Sequence, residues 1–384
     1  MAPLFPAVLI GGPAHAGKST LTYRLSQQLR ALDVPHYALR ASPDGEGDWS
    51  NRIPDALVAE LRPRARAGWT HEFATAITRD VAQRHLPLIV DAGGLVSPET
   101  ALIAARCTHA ILLAANPDDL APWRELVSRN GIALIADLHS VLDAPQSVTS
   151  HGPPLRGQMS GLNRTASSDG PCFAALIDAL CQLFAYTPDE LFQAHVNQTA
   201  IELVLNLEQT IYPVMAHDNQ PWQPHELAIL LPTLPTDVPL AIYGRGPNWL
   251  YAALATVAPT CDYAVFDPRQ GWVTIPRLGF GTPNDDDPLQ CELVDQTTYM
   301  HLKLSLRQSY LDRRDTDLIR LPPVTQGLIL DGRMPMWLWA ALTRAYLNLP
   351  WLACYQPPLG AAVVVHSHEP AYPRGTLIPI SVAT

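Results

Sequence analysis

The sequence predicts an α/β protein in which a domain built on a parallel sheet precedes an internally duplicated C-terminal part. Three observations support this prediction. Short apolar runs alternate with longer amphipathic stretches up to about residue 186, a Gly-x4-Gly-Lys-Ser pattern follows the first run, and one pattern of residues occurs twice later in the chain. With 384 residues, the chain is long enough for two or three domains.

Five apolar runs in the first part predict buried strands that are separated by helices. In chain order they are PAVLIGG, PHYALR, PLIVDAGG, HAILLAAN and GIALIADL. The amphipathic stretch CFAALIDALCQLFA predicts the helix that closes this part of the chain. We therefore expect a first domain of residues 1–190.

Composition limits the classes of partner and the compartment. A formal charge of -10 argues against long nucleic acid as a ligand, because such proteins present a basic face. The sequence contains no uninterrupted apolar stretch of membrane-spanning length, so we expect no membrane span. The six cysteines lack the spacing of a zinc site, which favours reduced thiols and a cytoplasmic location.

The segment GPAHAGKST follows the first predicted strand and leads into a predicted helix, which is the context of a phosphate-binding loop. Gly12 and Gly17 would let backbone N–H groups surround a phosphate, Lys18 would reach the β- and γ-phosphates, and Ser19, with Thr20 beside it, would start the helix and ligate Mg²⁺. Lys18 is one of only two lysines in the chain, which favours a specific role. We expect ATP and Mg²⁺ as cofactors.

Other chemical groups could complete this site. Asp91 ends a predicted strand and is placed to hold the magnesium, although an Asp that caps a turn would look the same. Asp44, in ASPDGEGDW after the second strand, is placed like a carboxylate that activates an acceptor hydroxyl in small kinases, or simply forms a turn. A lid arginine could come from residues 62–69 or from Arg124 and Arg129, and the sequence does not choose.

The C-terminal part carries an internal duplication. YGRGPNWLYAALATV and DGRMPMWLWAALTRA share eight of thirteen positions when Gly244 is matched to Gly332. The acidic segment GFGTPNDDDPLQ separates the two copies, so we expect units of residues 195–285 and 290–384. Trp249 and Trp337 are predicted to be core anchors.

Each copy places an arginine in a turn between a strand and a helix. Such a turn suits a phosphodiester or a carboxylate, because helix N-terminal N–H groups and a guanidinium would point at the ligand. Pro247 suits the first helical position. The candidate ligand-binding residues are Gly244, Arg245, Gly246, Pro247, Asn248, Gly332 and Arg333.

Asp267 and Arg269 follow the helix of the first copy, in YAVFDPRQG. They would point to the same side if the strand continued through Pro268. His366 and His368 alternate on a strand of the second copy, where they could share a face as metal ligands, act as a base or simply be exposed at a strand end.

The segments GRGPNWLYAALA and YAVFDPRQG closely resemble the signature of the small CRISPR-associated ring nucleases of the Csx type, which cut cyclic tetra-adenylate with manganese. That family also occurs fused to an AAA-like P-loop domain. The resemblance implies ferredoxin-like α+β units that pair and hold the ring, so two units in one chain would form a pseudo-dimer. It also implies a catalytic centre of histidine, aspartate and arginine, with Asp267 and Arg269 as the last two.

Two departures weaken the catalytic centre that the resemblance implies. The family's histidine aligns with Ala258, and in the second copy Gln356 and Pro358 replace the aspartate and the arginine. These departures weaken the expectation of ring cleavage with Mn²⁺, whereas ligand capture by Arg245 and Arg333 does not depend on the substituted positions.

Three functions follow from these residues. The first is a CRISPR-associated protein that binds cyclic oligoadenylate in paired chains and couples binding to ATP. The second is a P-loop kinase for a small or nucleotide substrate, with Asp44 as base and the duplicated part as a scaffold. The third is a non-catalytic sensor or sink for the messenger. All three predict a homo-oligomer.

Overall fold

The computed structural model describes residues 5–41, 71–142, 144–162, 169–211, 222–284, 286–307 and 311–380. It divides the chain into two compact units, Met1–His195 and Val196–Thr384. The second unit thus contains both copies of the repeat. Asp44 and the arginine cluster of residues 62–69 lie outside the described residues.

A seven-stranded sheet forms the centre of the first unit. Its strands are, in chain order, β1 (Ala7–Gly11), β2 (Tyr37–Ala41), β3 (Leu88–Ala92), β4 (His109–Ala114), β5 (Ala133–Ser140), β6 (Ser147–Ser150) and β7 (Leu155–Met159). The order across the sheet is β2-β3-β1-β4-β5-β7-β6, and every pair is parallel except β6 with β7. All five predicted strands are confirmed as β1 to β5.

Helices cover this sheet on both faces. They are α1 (Lys18–Ala31), α2 (His71–Ala82), α3 (Pro98–Ala104), α4 (Ala121–Arg129), α5 (Pro171–Leu183) and α6 (Pro188–Val196). Alternate residues of β1 belong to two separate apolar clusters, one with α2, α3 and α4 and the other with α1 and α5. Because β1 is buried on both faces at the centre of the sheet, the loop that follows it starts from a rigid position.

The first copy of the repeat builds a four-stranded sheet. It contains β8 (Leu203–Asn206), β9 (Leu240–Tyr243), β10 (Tyr263–Asp267) and β11 (Gly271–Thr274), in the order β11-β10-β9-β8. β8, β9 and β10 are parallel and β11 is antiparallel. The short helix α7 (Leu227–Leu230) precedes β9, and α8 (Asn248–Leu254) connects β9 to β10.

The second copy repeats this order within a larger sheet. After the strand pair β12 (Gly279–Phe280) and β15 (Arg320–Leu321), the sheet contains β13 (Leu289–Asp295), β14 (Met300–Leu306), β16 (Leu328–Gly332), β17 (Trp351–Gln356), β18 (Ala361–Ser367) and β19 (Leu377–Pro379). β14, β16 and β17 are parallel, β18 is antiparallel, and α9 (Met336–Ala345) connects β16 to β17.

The helices α8 and α9 pack against each other and share one apolar core with both sheets. Trp249 and Trp337 are 1% and 0% exposed, which confirms them as core anchors. α8 also packs against β17 and β18 of the other copy, and α9 packs against β10. The two copies therefore fold as one body with the helices between the sheets.

The mixed α/β class is confirmed, whereas the finer expectation of ferredoxin-like units is not. In each copy the matched strands lie side by side in chain order and three of them are parallel. A ferredoxin-like unit would instead split its βαβ strands. The single short helix between adjacent parallel strands explains this order, because a right-handed crossover brings the chain back beside the strand that it left.

Within the described residues, none of the helices has the length and apolar character needed to cross a membrane. All six cysteines are free thiols. Burial raises the pKa of Cys107 to about 12, which makes that thiol unreactive.

Candidate functional site

The loop between β1 and α1 depends on two glycines. Gly12 has a φ of 148°, and a Cβ there would lie 1.9 Å from the carbonyl oxygen of Leu113 on β4. Gly17 has a φ of 90°, and its Cβ would lie 2.8 Å from the side chain of Leu162. A larger residue at either position would be strained and would clash, so both positions require glycine.

Lys18 begins α1 and is almost fully buried. Its Nζ donates a hydrogen bond of 2.7 Å to the carbonyl oxygen of Pro13, so the ammonium lies over the loop. Ser19 and Thr20 are half-buried in the first turn of the helix. The positive end of α1, the ammonium and two hydroxyls thus converge on one loop, an arrangement that suits a phosphate.

Asp91 lies beside this loop because β3 pairs directly with β1. Ile10 is in register with Asp91, and Ile10 is two residues before Gly12. Asp91 is 4% exposed. Its position at the carboxyl end of the neighbouring strand fits the expected carboxylate near a phosphate-bound cation.

Two contacts with the phosphate loop were not predicted. A Cβ on Gly94 would lie 2.7 Å from the backbone of Ala14, so the segment after β3 touches the loop. The segment after β7 covers the start of α1, where Arg24 donates a hydrogen bond to the carbonyl oxygen of Gly161. The Gly93-Gly94 pair after Asp91 was a usable signal for the first contact, whereas nothing in the sequence marked the second.

The two remaining lid candidates differ in placement. Arg124 makes a two-pronged ion pair with Asp137, with N–O distances of 2.9 and 3.0 Å, and this hydrogen bonding raises the pKa of Arg124. Arg129 is at the last residue of α4, which follows β4 and therefore ends at the sheet edge opposite the phosphate loop. Arg129 is therefore placed away from the loop, whereas Arg124 is held by Asp137.

In the second unit, we call Gly244–Pro247 the first turn and Gly332–Pro335 the second turn. In the first turn Gly244 has a φ of 93°, which favours glycine. The Arg245 side chain is exposed, and its backbone N–H donates a 2.9 Å hydrogen bond to a carboxylate oxygen of Glu208. The hydroxyl of Tyr251 donates to the carbonyl oxygen of Gly244. This turn therefore already binds a carboxylate of its own chain.

The second turn lacks such a carboxylate among the described residues. A Cβ on Gly332 would lie 2.3 Å from the carbonyl oxygen of Leu304, which explains why the second copy also has glycine at this position. Arg333 is exposed, and neither its guanidinium nor that of Arg245 bonds to a described residue. Both arginines are therefore available to an external anion.

Pro247, Pro335 and Asn248 do not occupy the positions that the sequence predicted. Pro247 and Pro335 are extended and precede α8 and α9 by one position, because their ψ angles of 155° and 148° are not helical. Asn248 is buried, with its Nδ2 donating to the carbonyl oxygen of Tyr355 at 3.0 Å and its Oδ1 accepting from Trp249 N at 2.7 Å. Its role as a ligand-binding residue remains a prediction.

Asp267 and Arg269 lie at a strand end and in the turn after it. β10 ends at Asp267, so the condition under which strand alternation would point both side chains to one side is not met. Asp267 Oδ1 instead accepts hydrogen bonds from Arg269 N at 2.8 Å and Gln270 N at 3.1 Å. Such a turn is favoured by an Asp at its first position. The two side chains are thus positioned by a hairpin turn rather than by strand alternation.

A His–Asp pair near the second turn, with a buried histidine and a partly exposed aspartate, was missed. His301 Nε2 on β14 lies 3.2 Å from Asp331 Oδ2 on β16, and Asp331 directly precedes the second turn. The two residues are 30 positions apart, and the pairing of β14 with β16 brings them together. The only available signal was an acidic residue beside the repeated Gly-Arg.

His366 and His368 do come together, with 3.1 Å between their Nε2 atoms, and His368 Nε2 is 3.2 Å from the carbonyl oxygen of Leu347. Burial, with smaller effects of His368 and Arg374, lowers the pKa of His366. Within the described part of the chain, no group of three or more His, Cys, Asp or Glu side chains could hold a metal ion. A manganese centre of the expected composition does not fit, since Ala258 is buried and apolar.

The geometry thus defines an α/β protein with a glycine-dependent loop between β1 and α1 in one unit and a duplicated Gly-Arg turn in the other. Two stretches, residues 215–277 and 305–379, match the model of a family described as CRISPR-associated protein (Cas_csx3). They cover both copies of the repeat and about a third of the chain. This similarity supports a relationship to a CRISPR-associated Csx family and a CRISPR-related function.

A protein of Aquifex aeolicus (strain VF5), described as an uncharacterized protein, is 39% identical over 51 residues. The aligned residues are 13% of this chain and 46% of the relative, so the chain spans just under half of that relative's length.

Proposed function

We propose that the Val196–Thr384 unit binds a cyclic oligoadenylate, with cyclic tetra-adenylate as the ring that the family resemblance favours, and that ATP binding in the Met1–His195 unit is coupled to it. One observation carries this proposal. Both copies of the repeat, which are the parts similar to the Csx family, hold an exposed guanidinium without a bond to any described residue. Unpaired arginines beside helix N-termini suit the phosphodiesters of a compact ring.

ATP would bind at the loop between β1 and α1. Gly12 and Gly17 would let the backbone approach the phosphates, and Lys18 would exchange its bond to Pro13 for the phosphate oxygens. Ser19 and Asp91 would hold Mg²⁺, which supplies charge neutralisation when bound. The burial of Lys18 and Asp91 beside the loop supports this assignment.

Ring cleavage is the weaker part of the proposal. Gln356 and Pro358 cannot replace a carboxylate and a guanidinium, and Ala258 leaves no imidazole at the aligned position. These substitutions favour the alternative of a non-catalytic sensor or sink for the messenger. The kinase alternative rests on Asp44, which lies outside the described residues.

Isothermal titration of the purified full-length protein with cyclic tetra-adenylate tests the binding proposal. We expect a dissociation constant well below millimolar, and a loss of at least about tenfold in the double variant Arg245→Ala/Arg333→Ala, because charge-assisted hydrogen bonds are removed. The variant Arg129→Ala, which removes an exposed arginine of the first unit, serves as the control. Millimolar binding, or equal binding by the double variant, would refute the proposal.

Chromatography of the ring after incubation with protein then separates the candidates. Samples contain Mn²⁺ and ATP singly, together or not at all. An intact ring supports a sensor or sink, whereas linear oligoadenylate shows cleavage. Phosphorylated ring that disappears in Lys18→Ala would instead support the kinase.

A further inference from the structure

The two copies present their turns at the same end of the second unit. Asn248, at the start of α8, donates a 3.0 Å hydrogen bond to the carbonyl oxygen of Tyr355, near the end of β17. Because α8 follows the first turn, which starts where β9 ends, the N-terminus of α8 lies within hydrogen-bonding distance of the end of β17. We call this region the shared edge: Gly244–Pro247, Asp267–Arg269, Gly332–Pro335 and Gln356–Pro358.

Contacts at the opposite end agree with this arrangement. Arg344, in the last turn of α9, donates to the carbonyl oxygens of Ala255, Ala258 and Cys261, at 3.0, 2.8 and 2.7 Å. Its guanidinium also lies 5.1 Å from the ring centre of Tyr263, the first residue of β10. The carboxyl end of α9 is therefore at the start of β10, and its N-terminus, about 15 Å away, is at the end of β10.

Strand register places the Asp267 hairpin within the shared edge. Val265 pairs with Ile242, so Asp267, two residues further, is level with Gly244 of the first turn. In the second copy Leu330 pairs with Cys354, so Gln356 is level with Gly332. The first copy thus contributes a carboxylate and an arginine to the shared edge, and the second copy contributes an amide and a proline.

The two turns differ in which groups accept hydrogen bonds from their backbone N–H groups. In the first copy, Glu208 accepts from Arg245 N, and Asn248 Oδ1 accepts from Trp249 N. In the second copy the residue that matches Asn248 is Met336, and N–H groups of Met336 and Trp337 donate to no described residue. The N-terminus of the ten-residue helix α9 also lacks a side-chain cap.

The first turn shows which kind of ligand this geometry accepts. Its occupant is a carboxylate oxygen, an anion that the chain itself supplies from the π-type turn Leu207–Ile211. The strand register gives no matching carboxylate in the second copy. Asn206 pairs with Tyr243 and Lys303 with Asp331, so the residue that corresponds to Glu208 is Ser305. Among the described residues, no carboxylate therefore occupies the equivalent position of the second copy.

We propose that a phosphodiester of the ligand binds at the second turn, to Arg333 and the N-terminus of α9, while Glu208 holds the first turn closed. This rests on the proposed function for the identity of the ring. Asp267 and Arg269 of the first copy complete the site from across the shared edge. The Asp267 carboxylate suits a ribose hydroxyl, which is a hydrogen-bond donor.

Isothermal titration of full-length variants tests the difference between the two turns. Each variant also carries Lys18→Ala, so that the loop between β1 and α1 binds less of either probe. The probes are cyclic tetra-adenylate and 5′-phosphorylated linear diadenylate. We expect Arg333→Ala to weaken binding by about tenfold or more and Arg245→Ala by less than about threefold. Glu208→Ala should tighten binding severalfold. Glu202→Ala, which removes an exposed carboxylate just before β8, is the matched control and should change little.

The outcomes separate this inference from the proposed function. Equal losses of affinity in Arg333→Ala and Arg245→Ala would refute the proposed difference between the two turns but would not refute ring binding. Equal affinities of Glu208→Ala and Glu202→Ala would overturn the closure of the first turn. Diadenylate binding that depends on Arg333, without ring binding, would refute the ring as ligand and support the site. No binding of either probe would refute both.

Discussion

Replacing Arg344 by methionine should destabilise the Val196–Thr384 unit, because this side chain ties the second copy to the first. Its guanidinium bonds to three carbonyl oxygens between Ala255 and Cys261 and covers the buried ring of Tyr263. Methionine keeps much of the apolar stem but leaves these carbonyls without a donor. Burial lowers the pKa of Arg344, but the guanidinium stays charged at neutral pH.

The expected loss follows from these contacts. A hydrogen bond from a charged donor contributes about 1.5–3 kcal/mol, and a cation–π contact about 0.5–2 kcal/mol. The contacts are not additive and the side chain is half-buried, so we expect Arg344→Met to lower the free energy of unfolding by about 3–5 kcal/mol. Arg344→Lys should lose about half as much, because one compact ammonium cannot span all three carbonyls.

Urea unfolding of the full-length protein, followed by tryptophan fluorescence, measures this loss. Six of the nine tryptophans lie in the second unit, so the signal reports mainly on it. Arg333→Met is the matched control: it removes an exposed arginine just before the same helix and should change the free energy by less than about 0.5 kcal/mol. A loss below about 1 kcal/mol in Arg344→Met, or equal losses in both variants, would refute the reasoning.

Three further predictions concern the first unit. Gly12→Ala should lower the unfolding temperature measured by calorimetry, since its Cβ would lie 1.9 Å from a backbone oxygen; unchanged melting would contradict this. Lys18→Ala should abolish ATP binding in titrations, so that added ATP no longer changes the affinity for cyclic tetra-adenylate; an ATP effect that persists would contradict the proposed coupling. Burial lowers the pKa of His195 to about 4, so stability should be full above about pH 6.5 and fall as the pH drops toward 4. Urea midpoints across this range should fall less steeply in His195→Gln.

Local sequence patterns predicted most of the first unit. The five predicted strands, β1 to β5 of the seven-stranded sheet, are apolar runs that are visible without any knowledge of distant contacts. Of these, β1, β3 and β4 contribute residues to both apolar clusters. The glycine constraints of the loop between β1 and α1 were equally accessible, because Gly12, Gly17 and Lys18 are close together in the chain. Gly94 and Leu162 were not, because only the assembled sheet brings them to the loop.

The second unit shows the limit of the same reasoning. The repeat and its core tryptophans were readable, but the hydrogen bond from Asn248 to Tyr355 joins residues 107 positions apart. Glu208 and Arg245 are 37 positions apart, and no local pattern marks their contact. The pairing of His301 with Asp331 depends on the register of two strands in the same way. A single sequence records none of these contacts. It therefore could not predict that a carboxylate binds the first turn and that no described carboxylate binds the second.

The duplication changes what each copy must retain. In a pair of identical units, every change would appear twice, and closing the turn in one unit would close it in both. In this chain the first copy keeps Asp267 and Arg269 but fills its turn with Glu208. The second copy has lost the acidic residue and the arginine but leaves its turn free of carboxylates among the described residues. Because the start of α8 contacts the end of β17 and α9 packs on β10, the two copies can complement each other: the first supplies Asp267 and Arg269, and the second supplies a turn without a carboxylate among the described residues. The prediction that Arg333 matters more than Arg245 follows from this complementarity, which ordinary loss of function in one copy would not produce.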